Sequence, residues 1–245
     1  MEDVSSLIEK LSWDTPVEEK EDAIQKLYYI KEEDLHLLLQ PISKSYWDEA
    51  AELVISLGYP RVNSILPGLL EWIQDINWPG ASRIADFLRE IGDPLIPYIK
   101  NVINHHRQDT EWIEWIFEKI IDHWNTEQVL QIRDELILMS QEKDNDFRAL
   151  KTLLIHGLYQ KYEADELIQR KKDEIAFKLK ELEKTSGEID CEELHKEFSE
   201  LIYKQSDRIK QYYEDNNERF NICNAKSNLK NYLSDIEIFT TEFLS

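Results

Sequence analysis

The sequence predicts an all-α chain: a short solenoid of stacked helix pairs over residues 1–145, then an antiparallel helical hairpin or bundle over residues 146–245. Three observations predict it. No segment sustains the apolar/polar alternation of a half-buried strand. Helix-start signals recur along the chain. Two turns repeat at a spacing of 34 residues. The 245 residues are 42% hydrophobic and 11% aromatic, enough apolar material for a core and too much for wholesale disorder.

The helix starts come in order. In Thr15-Pro16-Val17-Glu18 the threonine hydroxyl can take an orphan amide, proline suits the first helical position, and Glu18 can reach back. Ser45-Tyr46-Trp47-Asp48, Asp93-Pro94, Asn125-Thr126-Glu127-Gln128 and Asp190-Cys191-Glu192-Glu193 follow the same logic. Their spacing implies helices of about 10–15 residues joined by short turns.

Leu57-Gly58-Tyr59-Pro60-Arg61-Val62 aligns with Ile91-Gly92-Asp93-Pro94-Leu95-Ile96. The apolar ruler carries Leu53 onto Phe87, Val54 onto Leu88, Ile65 onto Ile99 and Leu69 onto Ile103. Each unit reads as helix, Gly-x-Pro turn, helix, with glycine ending one helix and proline opening the next. Weaker copies flank these, from Ala23 to Leu39 turning at Glu32-Glu33-Asp34, and from Trp112 to Met139 turning at Trp124-Asn125-Thr126. Neither has the Gly-x-Pro turn. Helix pairs at this period bury their apolar faces by stacking.

The segment resembles the HEAT-like helical-repeat class over roughly residues 15–140. Trp72-Ile73-Gln74-Asp75-Ile76-Asn77-Trp78-Pro79-Gly80, running on to the Gly92-Asp93-Pro94 turn, is also similar to a bacterial helical domain family of unknown function. That family carries an Asp-x-Asn-Trp-Pro turn between helices. The resemblance implies an all-α fold and a bacterial source, and it brings no established activity.

The C-terminal part has a different rhythm. Ile168, Ile175 and Leu182 are seven apart, with Leu179 alongside, and Leu194, Phe198, Leu201 and Gln205 follow at four, three and four. Such narrow seams belong to long paired helices. They predict a hairpin of residues 163–184 against 190–214, turning at Thr185-Ser186-Gly187-Glu188 and ending at Asn216-Asn217. A last helix from Ser234 to Leu244 would cover its open side. An ordinary bundle is the alternative. All seven tryptophans lie between Trp13 and Trp124, and all seven prolines between Pro16 and Pro97. This break in composition places a boundary near Asp144-Asn145-Asp146.

Charge narrows the function. Fifty acidic against 29 basic side chains give a net of −21, which disfavours general nucleic-acid binding and anionic membrane surfaces. Residues 1–150 carry 30 acidic and 14 basic side chains, and residues 151–245 carry 20 and 15. No stretch is long and apolar enough to span a bilayer. The acidic start Met1-Glu2-Asp3 is not that of a secretory signal. The two cysteines, Cys191 and Cys223, are read as reduced thiols of a cytoplasmic protein, although a bridge between two helices is geometrically open to them.

Chemistry-bearing clusters are weak. His105-His106 with Asp109, Asp122 and His123 is better explained by the helix dipole than by a metal. Cys191 and His195 share a helix face, but two ligands do not make a site. No glycine-rich elbow or phosphate loop is present, since six glycines are scattered singly. No catalytic residue, cofactor or metal is therefore assigned.

The tryptophans carry more information. Trp112 and Trp115 are three apart with Glu111 and Glu114 beside them, and Trp78 lies in a turn with Asp75 and Asn77. Each tryptophan can be core, or an exposed anchor ringed by carboxylates that suits a basic protein partner. The expected function is a non-catalytic protein-binding module, a helical-repeat scaffold or adaptor using an acidic, aromatic-bearing surface. The alternative resembles the bacterial immunity proteins, which bind and neutralise a basic toxin domain.

Overall fold

The computed structural model of the chain describes residues 3–142, 147–186, 189–204 and 208–244. Among them every regular element is helical, and no helix is long and apolar enough to cross a membrane. The chain divides into two compact units, residues 1–140 and 141–245. The expected boundary at Asp144-Asn145-Asp146 lies outside the described residues, as do Gly187-Glu188 of the expected hairpin turn and Gln205 of the seam.

The first unit comprises α1 (Val4–Ile8), α2 (Val17–Leu27), α3 (Lys44–Leu57), α4 (Leu66–Trp72), α5 (Ala81–Ile91), α6 (Ile96–His106), α7 (Thr110–Lys119), α8 (Thr126–Gln131) and α9 (Arg133–Gln141). Helix α5 packs on α3, α4 and α7, and α7 also packs on α6. Leu53, Val54, Leu69, Leu70, Trp72, Ile84, Leu88 and Ile99 are buried between them. Arg83 of α5 reaches both Asp48 and Glu52 of α3, tying the two helices along their exposed edge.

The caps are partly as expected. Asn125 and Gln128 form a reciprocal capping box at the start of α8, and the Asp190 carboxylate accepts from the Glu193 backbone N–H at 3.0 Å. Thr15 does not cap: Pro16 is the boundary residue of α2 and no side-chain bond closes it. Asp93-Pro94 opens a 3-10 turn over Asp93–Leu95 that leads into α6.

Gly58 and Gly92 end α3 and α5 at φ +69° and +70°, a region that costs other residues strain. These glycines are 34 apart, but the second helices begin at Leu66 and Ile96, thirty apart. The first turn is four residues longer, with Tyr59-Pro60-Arg61-Val62 inserted and Val62 fully buried. Four residues are close to one helical turn, so both registers set apolar residues on the same face. Helix starts pair Leu69 with Ile99 rather than with Ile103, and all three are buried. The flanking segments differ further. After α2 the chain runs through a 3-10 segment, Glu32–Leu38, and not a second α-helix. The stretch after α7 is broken into a 3-10 turn at Ile121–His123, then α8, then α9.

The second unit comprises α10 (Arg148–Ile155), α11 (Lys161–Ser186), α12 (Cys191–Lys204) and α13 (Ile209–Phe239), the last running into a π-turn over Thr240–Leu244. Helix α13 packs against both α11 and α12. It does not stop at Asn216-Asn217, and the expected last helix from Ser234 is its continuation. The asparagine side chains bond along the helix: Asn216 Nδ2 donates to Tyr212 O at 2.9 Å, and Asn221 Nδ2 to Asn217 Oδ1 at 3.2 Å. With no glycine or proline nearby, nothing breaks the helix.

Leu167, Ile168 and Ile175 of α11 bury Tyr232, Ile236 and Phe239. Leu194 of α12 packs with Phe220 and Cys223. The thiols expected to be reduced are joined, as Cys191 and Cys223 form a disulfide between α12 and α13. Beside it the Tyr212 hydroxyl donates to Glu197. Burial first, and that bond second, push the Tyr212 phenol up to about 12.

Candidate protein-binding surface

The turn from α4 into α5 is built by its own side chains. The Asp75 carboxylate accepts from the Asn77 backbone N–H at 2.8 Å and from Asn77 Nδ2 at 3.0 Å, a local turn that suits Asp and Asn. Trp72 Nε1–H donates to Pro79 O at 3.1 Å. Gly80 lies at φ +79°, and a Cβ there would stand 2.5 Å from the Ala51 Cβ and 3.1 Å from Trp47 O. Glycine therefore lets the turn seat directly on α3.

Seating the turn brings three indoles together. Trp47 meets Trp78 edge-on, with centroids 5.6 Å apart at 70°, and meets Trp72 at 6.2 Å and 75°. Trp72 is buried, while Trp47 and Trp78 are half-buried. Trp47 Nε1–H donates to Pro41 O at 3.2 Å. The Lys44 ammonium lies 5.9 Å from the Trp47 centroid and 5.8 Å from that of Trp78. Next to Pro41, Ile42 sits at φ +53° and is 65% exposed. A β-branched residue in the left-handed region is strained. Asp75 is half-buried and Asn77 exposed. The structure thus sets Asp75, Asn77 and Trp78 on one ledge and adds Trp47, Lys44 and Ile42, which sequence reasoning missed. One signal was available: the 34-residue ruler carries Trp47 onto Ala81, the first residue after this turn.

The α7 residues separate. Trp112 is buried and its Nε1–H donates to Leu70 O at 2.9 Å. Asp109 caps the helix by accepting from the Trp112 backbone N–H at 3.1 Å. Trp112 is thus a core residue and leaves the expected surface set. At 100° per residue the core stripe of Trp112, Ile113, Ile116 and Phe117 leaves Trp115 at its edge. Trp115 is half-buried under the Lys119 ammonium, 5.7 Å from its centroid, and Glu111 and Glu114 are exposed. Unit 1 holds 27 acidic against 12 basic side chains, so both aromatic surfaces lie in a strongly negative unit.

Members of the other two clusters are engaged elsewhere. His105 Nδ1 bonds Asn101 O at 3.0 Å, and the His106 ring lies 5.3 Å from Trp112. Cys191 is in the disulfide, and the His195 ring packs on Phe220. Among the described residues no group of three or more His, Cys, Asp or Glu is placed to hold a metal. Half-buried indole faces among carboxylates can hold cationic side chains and the apolar stems that carry them.

The fold and this surface define an all-helical chain with an acidic, tryptophan-bearing first unit. A family described as a domain of unknown function (DUF5071) matches residues 42–153, a span that opens at Ile42 and takes in the whole tryptophan ledge and α7. No curated protein and no solved structure matches the chain.

Proposed function

We propose that the chain is a non-catalytic protein-binding module that holds a basic protein on the acidic, aromatic face of its first unit. In this reading α3/α4 and α5/α6 stack as a short HEAT-like α-solenoid, and the helices after residue 146 form an appended hairpin or bundle. The observation that carries it is the coincidence of surface indoles at positions 47, 78 and 115 with an excess of 15 negative charges in unit 1. A field of that sign steers a cationic partner and speeds its encounter. Aromatic anchors slow its departure. Neither feature asks for a reacting group.

Affinity capture from the native host, at low and at high salt, tests this with the wild-type chain beside the double variant Glu111→Lys, Glu114→Lys. Both positions are exposed, so the variant is expected to fold, and its far-UV circular dichroism against that of the wild type checks this. The expected partner is a protein of net positive charge whose association slows as salt rises, and which the double variant captures several-fold less well. A captured toxin domain neutralised by the chain would make this an immunity protein. Capture that ignores both salt and charge reversal would overturn the reading.

A further inference from the structure

We infer that the corner between Trp47 and Trp78 is an ammonium-binding cage, occupied in the free protein by the chain's own Lys44, which gives way to a lysine of the basic partner. The inference deepens the protein-binding reading above and rests on it.

Two indoles at 70° with centroids 5.6 Å apart make two walls of a cage. Lys44 Nζ stands 5.9 and 5.8 Å from those centroids, within the ~6 Å over which a ring quadrupole attracts a cation. Lys20, Lys26, Lys31, Lys100 and Lys119 of the same unit each pair with a carboxylate. Among the described residues Lys44 makes no ion pair, although the chain has 50 carboxylate side chains. Its ammonium rests on the two rings instead.

The walls are fixed and the occupant is not. Trp47 is anchored by its bond to Pro41 O. The Trp78 backbone N–H donates to Asp75 O at 3.0 Å, and Trp78 O accepts from the Ala81 N–H at 3.0 Å. The turn is pressed on α3 through Gly80. Lys44 is the exposed first residue of α3, and its four-carbon stem can swing into water with no change of backbone. A rigid cation seat with a self-supplied, displaceable cation is suited to exchange. The resident lysine shields two indoles when no partner is present and lowers apparent affinity for every competitor.

Three short peptides with blocked ends test this on the full chain: Gly-Lys-Gly, its trimethyl-lysine form, and its norleucine form. Norleucine keeps the stem and removes the charge. The readout is the indole N–H nuclear magnetic resonance signals of Trp47 and Trp78, in wild type and in Lys44→Ala, whose unchanged far-UV circular dichroism confirms folding. The expected result is that both charged peptides shift these two signals, norleucine does not, and Lys44→Ala binds the charged peptides about threefold tighter or more. Equal response to norleucine and lysine, or no gain in Lys44→Ala, overturns the cage. Failure of basic-partner capture with normal peptide binding would instead remove the protein-binding reading and leave the cage standing.

Discussion

Trp112 and Trp115 lie three residues apart on α7 and meet different surroundings. The first fills core and spends its one donor on Leu70 O. The second rests half-exposed under Lys119. Replacing Trp112 by alanine leaves a cavity and removes one of the two N–H groups that donate to Leu70 O, the Ile73 backbone N–H being the other, and is expected to cost about 3–5 kcal/mol. Trp115→Ala removes only a half-buried ring, and should cost about half as much and weaken partner binding as well. Chemical denaturation of each variant, read by circular dichroism, gives the comparison. In sequence the two residues look alike, because a spacing of three fits either face and nothing local says which side the core takes. Trp78 was legible as a turn residue from Trp78-Pro79-Gly80 alone. Its partner Trp47, 31 residues away, depends on how α3 and the turn pack.

At the scale of elements, the capping box at Asn125 and the glycine-ended helices α3 and α5 were readable, because each is a local rule with a local cause. Helix α13 was not. Its buried residues Phe220 and Cys223 face α12, while Tyr232, Ile236 and Phe239 face α11. On a wheel of 3.6 residues per turn these sets stand roughly 150° apart. The apolar stripe changes side midway, so no single seam runs the length of the helix and the asparagines read as an end. The disulfide was equally hidden, since its two cysteines are brought level only by that continuous helix. Helix α12 is held by a small cluster around Leu194 together with this bond. Closing a loop of about 32 residues contributes about 3–4 kcal/mol on the chain-entropy account. Reduction should therefore speed amide exchange in residues 191–204 by about tenfold or more and leave α11 unchanged, as measured by hydrogen–deuterium exchange. Equal protection of α12 with and without the bond would mean that packing alone holds it.

For the whole molecule the decisive property is the uneven spread of charge and tryptophan along the chain. That was plain in the composition, because both are sums over residues and need no geometry. The location of the indoles within unit 1 was not, since burial is settled by neighbours far away in sequence. The account depends on the ledge and the exposed face of α7 lying against another protein when the chain acts. Site-specific photo-crosslinking in the native host measures this most directly, with the crosslinker placed at Asn77, at Glu114 and, as a control, at Tyr203, all exposed. The account predicts that positions 77 and 114 join one basic protein and that position 203 does not. Crosslinks confined to position 203, or none from 77 and 114 while the partner is bound, would contradict it.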